Sequence, residues 1–180
     1  METILALDSG LFLYFYNLPH NSISEFIALF FSAVGSMGII WFVIALFLFY
    51  REEKRDHAFF KPVIFVVFGG LFSEFVLKNV FARPRPTEII TSFSFPSTHA
   101  TLAFAFAYVL SQKEPKLKYW FFTLAIFIAL SRIYLGVHYP FDILAGAFLG
   151  IIIGWFSLML SSCGRQKSTR KWLLRSKKIR

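Results

Sequence analysis

Residues Ser24 to Tyr50 form an almost unbroken apolar run whose only charged residue, Glu25, stands beside its start. About 20 helical residues, rising 1.5 Å each, cross a hydrocarbon core roughly 30 Å thick. Inside a bilayer the backbone must satisfy its own hydrogen bonds, so a run of this length without alternation can only be a helix. Further apolar segments follow at about Phe60 to Phe81, Ser97 to Ser111, Tyr119 to Ser131 and Phe141 to Ser162. Hydrophobic residues make up 57% of the 180 positions and aromatics 20%, more than the roughly 45–50% apolar content of soluble domains. The sequence therefore predicts an all-α, polytopic membrane bundle of six helices, five spanning and one N-terminal. Residues 1–163 read as a single membrane-embedded domain, and 164–180 as a basic tail.

Met1 to Asn17 contains no lysine or arginine, so it lacks the charged start of a signal peptide and is expected to stay in the mature chain. Asp8 and Ser9 interrupt its apolar residues near the middle, which suits a helix lying in the interface. Leu18-Pro19-His20-Asn21 reads as a turn. The segment Ala82 to Pro96 carries Pro84, Pro86 and Pro96 and cannot continue a helix.

The net charge of +9 is distributed as a topology signal. Arg51, Lys54, Arg55 and Lys61 lie between the first two spans, and Lys113, Lys116 and Lys118 between the third and fourth. The tail holds Arg165, Lys167, Arg170, Lys171, Arg175, Lys177, Lys178 and Arg180, bringing the sum to 15 of 19 lysines and arginines. If spans alternate, these share one side, which the positive-inside rule makes cytoplasmic, together with the C-terminus. Such short runs between apolar segments are unlike a basic and aromatic nucleic-acid face, so no nucleic-acid partner is expected. The lone Cys163 excludes an intrachain disulfide and a cysteine zinc cluster.

Lys78, Arg83, Arg85 and Arg132 fall on the opposite, non-cytoplasmic side. Charge at a membrane edge is costly unless something uses it. Three of these cations belong to spaced motifs: Lys78, six residues, then Arg85-Pro86; Pro96-Ser97-Thr98-His99; and Ser131-Arg132, five residues, His138, three residues, Asp142. A cluster of cations on that side suits an anion, and one whose charge is spread over several oxygens needs several fixed donors. Arginine's planar fork meets phosphate in a bidentate manner. Lys78, Arg85 and Arg132 supply cations, and Ser97, opening a helix after Pro96, offers a hydroxyl and first-turn N–H groups, with Thr98 beside it.

Taken together, the three motifs resemble the signatures of the type 2 phosphatidic acid phosphatase superfamily, which also includes bacterial prenyl-diphosphate phosphatases and vanadium haloperoxidases. The resemblance spans Lys78 to Asp142. It implies that His138, its far nitrogen held by Asp142, attacks phosphorus, and that His99 protonates the leaving oxygen and then activates water. Spacing alone would allow the two histidines to exchange roles. No metal or cofactor is expected. The second motif departs from the family's Pro-Ser-Gly-His, since Thr98 stands where glycine is usual. Its branched Cβ resists positive φ and is tolerated only in a helical first turn.

Other residues have plainer readings. His20 and His57 suit structural hydrogen bonds, and Glu74 is placed at i, i+4 to neutralise Lys78. Arg83 lies outside the motif spacing and reads equally as a headgroup contact or an exposed loop charge. Gly146, Gly150 and Gly154 allow close helix approach, within the chain or at a homodimer seam. The tail, with Trp172, Leu173 and Leu174 among its charges, suits an anionic leaflet or simply fixes topology.

The expectation is an integral membrane phosphatase acting on a lipid phosphate or diphosphate, undecaprenyl diphosphate first and a phosphatidate or phosphatidylglycerophosphate-type glycerolipid next. Its partners would be that lipid and the surrounding membrane. The rival is a non-catalytic protein that binds or flips lipid phosphates with a retained anion pocket.

Overall fold

The computed structural model describes residues 2–51, 60–87 and 91–177. His57 lies outside these residues, and the side chains of Cys163 and the basic tail are likewise outside the description. The described chain is helical, with α1 Glu2–Tyr16, α2 Ser22–Val34, α3 Ile39–Arg51, α4 Phe60–Phe72, α5 Lys78–Phe81, α6 Thr98–Lys113, α7 Lys118–Tyr134 and α8 Pro140–Lys177. A π-helical turn, Ser73–Leu77, joins α4 to α5, so these form one rod.

Among the described residues, three helices are long and apolar enough to cross a membrane: Lys61–Phe81, Pro115–Tyr134 and Pro140–Ser161. The run expected as one straight span from Ser24 to Tyr50 is two helices, α2 and α3, bent by 60° and counted as a fourth span only if the pair is taken together. The break falls at Gly35, the 3₁₀ turn Ser36–Gly38 and a positive φ of 74° at Gly38. Paired glycines and a serine are a common cause of such a kink. The third expected span, α6, has 16 residues, about 24 Å of helix. It lies at the centre of the bundle, packed by α8, α7, α4 and α3. The five-span count is thus not reproduced, and α8 runs without a break to Lys177.

Local sequence explains where the helices begin and end. Asn21 caps α2, its Oδ1 accepting the N–H groups of Ile23 and Ser24 at 3.1 and 2.9 Å, and Ser24 Oγ returns the bond to Asn21 N–H. Ala82 ends α5 in the left-handed region (φ 44°, ψ 34°), and Pro84 follows. The core is built from Trp41, Val63, Val66, Phe106, Leu110 and Ile128, with the Trp41 and Phe106 rings stacked at 6.3 Å. Large apolar residues on the outer faces, such as Phe68, Phe75, Phe148 and Trp155, are exposed, as expected where lipid is the solvent.

The glycine stripe is used inside the chain. A Cβ built on Gly146 would lie 2.6 Å from Ser97 O, and one on Gly154 would lie 2.9 Å from Ala105 O. Gly150 likewise faces Thr101 O. The face that could have formed a dimer seam is occupied by α6, and this close approach sets the start of α8 against the start of α6.

Candidate active site

The ends of α5 and α7 and the starts of α6 and α8 meet at one end of the bundle, and the three motifs meet with them. Pro140 occupies the first position of α8, where its missing N–H costs nothing. His138 therefore sits just before the helix and Asp142 within its first turn. Asp142 Oδ2 accepts the Tyr139 N–H at 2.9 Å and lies 3.5 Å from His138 Nδ1. That separation is long, and Nδ1 makes no bond of hydrogen-bond geometry among the described residues. It is a contact with the carboxylate just beyond hydrogen-bond geometry. On the ring's other side, Nε2 lies 3.3 Å from Arg85 Nη1. Arginine can only donate, so Nε2 is the acceptor and the proton resides on Nδ1, facing the carboxylate. His138 is 1% exposed, and its pKa is lowered to about 4 because burial disfavours the cation more than Asp142 favours it.

Arg85 is fixed by three further bonds. Nε and Nη2 donate to Ser92 O and Ser92 Oγ at 2.8 and 2.9 Å, and Nη1 donates to Val137 O at 2.7 Å. Arg132, 9% exposed on α7, donates Nη1 to Ser32 Oγ of α2, while its Nε has no partner among the described residues. Lys78 Nζ pairs with Glu74 Oε2 at 2.6 Å, the neutralising contact expected at i, i+4. The intervening π turn sets the two side chains, a distortion often found at functional positions.

Ser97 is the N-cap of α6 and is fully buried, yet its hydroxyl makes no cap bond. Its own N–H donates to Asp142 O at 3.1 Å, which ties the start of α6 to the start of α8. The helix start can still offer the N–H groups of the first turn. Thr98 is the first residue of α6, outside the positive-φ region. It is tolerated there as expected, and its hydroxyl donates to Glu74 Oε2 at 2.5 Å. His99 is half-buried and lies within the fields of Arg132, His138 and Lys78.

The sequence reading missed Arg83 and Asp8. Arg83 is no exposed loop charge: Nη1 donates to Asp142 Oδ1 and Nη2 to Asp8 Oδ2, both at 2.7 Å. Its guanidinium lies 4.0 Å from the Tyr139 ring centroid. Asp8, read as a polar interruption of an interfacial helix, is fully buried and faces the bundle. The signal for it was present, since an ionisable residue inside an apolar run is a functional candidate by default. Ser32 and Ser92 carried no such signal. His20 is structural, its Nε2 2.8 Å from Tyr16 O and its ring stacked on Tyr134.

Among the described residues, the buried polar atoms without a protein partner are Trp41 Nε1, Ser73 Oγ, Ser97 Oγ, His99 Nε2, Arg132 Nε and His138 Nδ1, the last of which faces Asp142. Ser97, His99 and Arg132 belong to the motifs. Unsatisfied groups of this kind are costly and infrequent, so their concentration here fits a polyoxygenated ligand.

Comparison with known proteins accords with this geometry. The PAP2 superfamily signature matches residues 59–162. The undecaprenyl-diphosphatase BcrC of Bacillus subtilis is 26% identical over 151 residues, covering 79% of this chain and 77% of that protein. A lipid A 1-phosphatase of Rhizobium etli is 35% identical over 108 residues, 52% of this chain and 45% of its own length. The crystal structure of Aquifex aeolicus LpxE superposes with a TM-score of 0.70 at 34% identity, covering 85% of this chain and 95% of that one. The chain therefore belongs to the PAP2 superfamily and is a membrane phosphatase of that family.

Proposed function

We propose that the chain hydrolyses a lipid diphosphate or monophosphate at the non-cytoplasmic face of a cell membrane, with undecaprenyl diphosphate as the first candidate and a phosphatidate or phosphatidylglycerophosphate-type glycerolipid next. The observation that carries the reading is the meeting of Lys78, Arg85 and Arg132 with a neutral His138 whose Nε2 lone pair is turned away from Asp142. Similarity over most of both chains to an undecaprenyl-diphosphatase supports the first candidate. The distribution of the basic residues supports that sidedness when α6 is counted as a crossing and α2 with α3 as one.

In the proposed mechanism a phosphate oxygen replaces His138 Nε2 as acceptor of the Arg85 bond. Nε2 then attacks phosphorus, a P–N bond forms, and the P–O bond to the leaving group breaks. His99, protonated when the anionic substrate is bound, gives that proton to the leaving oxygen. Asp142 stabilises the positive charge on the ring. Water then attacks the phosphohistidine and passes a proton to His99, and inorganic phosphate leaves as Nε2 regains its lone pair. Lys78, Arg85, Arg132 and first-turn N–H groups near Ser97 and Thr98 hold the equatorial oxygens.

Phosphate release from a panel of lipid phosphates, measured on purified protein in detergent with EDTA, tests the reading. Turnover is expected, fastest on the prenyl diphosphate. No release from any lipid, with orthovanadate failing to bind, would contradict it and favour a lipid carrier.

A further inference from the structure

Asp8 lies outside the region that matches the family, yet it is bonded to the centre of the site. Its Oδ1 accepts the Phe141 N–H at 2.9 Å, so a carboxylate from α1 serves a free N–H at the start of α8, where the macrodipole favours negative charge. Its Oδ2 accepts from Arg83, whose other terminal nitrogen holds Asp142 Oδ1. With Oδ1 engaged, Asp142 presents Oδ2 to Tyr139 N–H and His138 Nδ1. One guanidinium thus bridges two fully buried carboxylates from different helices. The same helix supports the segment on the other side of His138. Gly136, at φ 73°, lies so close to Tyr16 that a Cβ there would be 2.7 Å from the ring, and Thr87 Oγ1 holds Gly136 O at 2.8 Å.

We propose that Asp8 and Arg83 are positioning residues for phosphate hydrolysis: α1 holds Arg83, Arg83 holds Asp142, and Asp142 thereby fixes the ring of His138. The inference rests on His138 being the nucleophile. Buried ion pairs are weak evidence of stability, since desolvation offsets their attraction. Geometry gives this one a different use, because Arg83 at Oδ1 and the Tyr139 N–H at Oδ2 hold the Asp142 carboxylate at both oxygens, facing the histidine.

The test compares Asp8→Asn, Arg83→Gln, the double variant and His138→Ala, using farnesyl diphosphate as substrate and orthovanadate as anion probe. Asp8→Asn keeps an acceptor for the Phe141 N–H, removes the charge, and replaces the acceptor of the Arg83 bond with an amide nitrogen that can only donate. It is expected to stay folded, bind vanadate within about twofold of wild type, and lose about 10- to 100-fold in kcat with little change in KM, as when the orienting partner of a functional histidine is removed. Arg83→Gln leaves two buried carboxylates uncompensated; the double variant restores the net charge and the fold but leaves kcat low.

The pH profile separates positioning from packing. His138 faces Asp142 from α8, Arg85 from the loop, Arg132 from α7 and His99 from α6. Against that fixed surrounding, Asp8→Asn makes the field more positive and moves the acid limb of kcat/KM to lower pH, while Arg83→Gln moves it to higher pH. Opposite shifts support the proposal. Wild-type kcat in Asp8→Asn, or a loss that only tracks the fraction of folded protein, overturns it. Retained turnover in His138→Ala overturns the nucleophile reading and this inference with it, whereas an inactive His138→Ala beside a fully active Asp8→Asn overturns this inference alone.

Discussion

Arg85 Nη1 lies 3.3 Å from His138 Nε2, the nitrogen that carries the lone pair. A cation donating to that lone pair, with Asp142 on the opposite edge of the ring, holds the imidazole in one tautomer. Burial then keeps it neutral, which is the form that can attack phosphorus.

The first prediction is of pH dependence. His138 has its pKa lowered to about 4 by burial, against the partial opposition of Asp142. Between the ordinary value of about 6.5 and about 4, the unfolded chain binds the proton and the folded chain does not. Stability therefore rises with pH across this window, and the loss accumulates as pH falls through it. Nitrogen-15 NMR of the imidazoles in detergent should show His138 neutral at pH 5.5; a ring protonated there would refute the burial argument.

Thr98 occupies the family's glycine position, starts α6 and donates to Glu74. Because its backbone is already helical, Thr98→Gly should change kcat/KM by no more than about fivefold, the scale of about 1 kcal/mol for one hydrogen bond. A rise from near zero to robust turnover in a steady-state assay would mean that threonine disables the site.

Gly150 packs against the backbone of Thr101 and Ala105. Gly150→Ala must push α8 from α6, and overpacking of this kind costs about 1–3 kcal/mol. The expected result is a lower midpoint of thermal unfolding in detergent, with the protein still monodisperse. An unchanged midpoint would show that the two helices can separate freely.

Arg132 is held by Ser32 and keeps Nε without a partner among the described residues. Arg132→Lys removes the planar fork and should weaken orthovanadate binding by about tenfold or more, while Ser32→Ala, which leaves the fork intact, should weaken it less. Equal losses in the two variants, read by calorimetry, would place the effect in packing.

Much of this site was readable before any coordinates. Lys78, Arg85, Ser97, His99, Arg132, His138 and Asp142 announce themselves because charge and histidine are expensive beside apolar helices, and their spacing carries the family signature. Glu74 was readable too, since i, i+4 spacing on a helix is local. Asp8 and Arg83 were misjudged because their meaning is tertiary: 75 positions separate them, and no periodicity reports that α1 folds back onto α8. The bend at Gly35–Gly38 was missed for another reason. Hydropathy sums over a window and registers apolar character, whereas the kink depends on two small residues whose backbone can turn within it. α6 was overread as an ordinary span because a helix buried by its neighbours and one facing lipid are equally apolar.

The central claim is that His138 is the nucleophile, and the most direct measurement is turnover of the His138→Ala protein on a prenyl diphosphate in detergent with EDTA. The account predicts that phosphate release is abolished while the variant remains folded and still binds orthovanadate through Lys78, Arg85 and Arg132. Sustained phosphate release by the folded variant would contradict it.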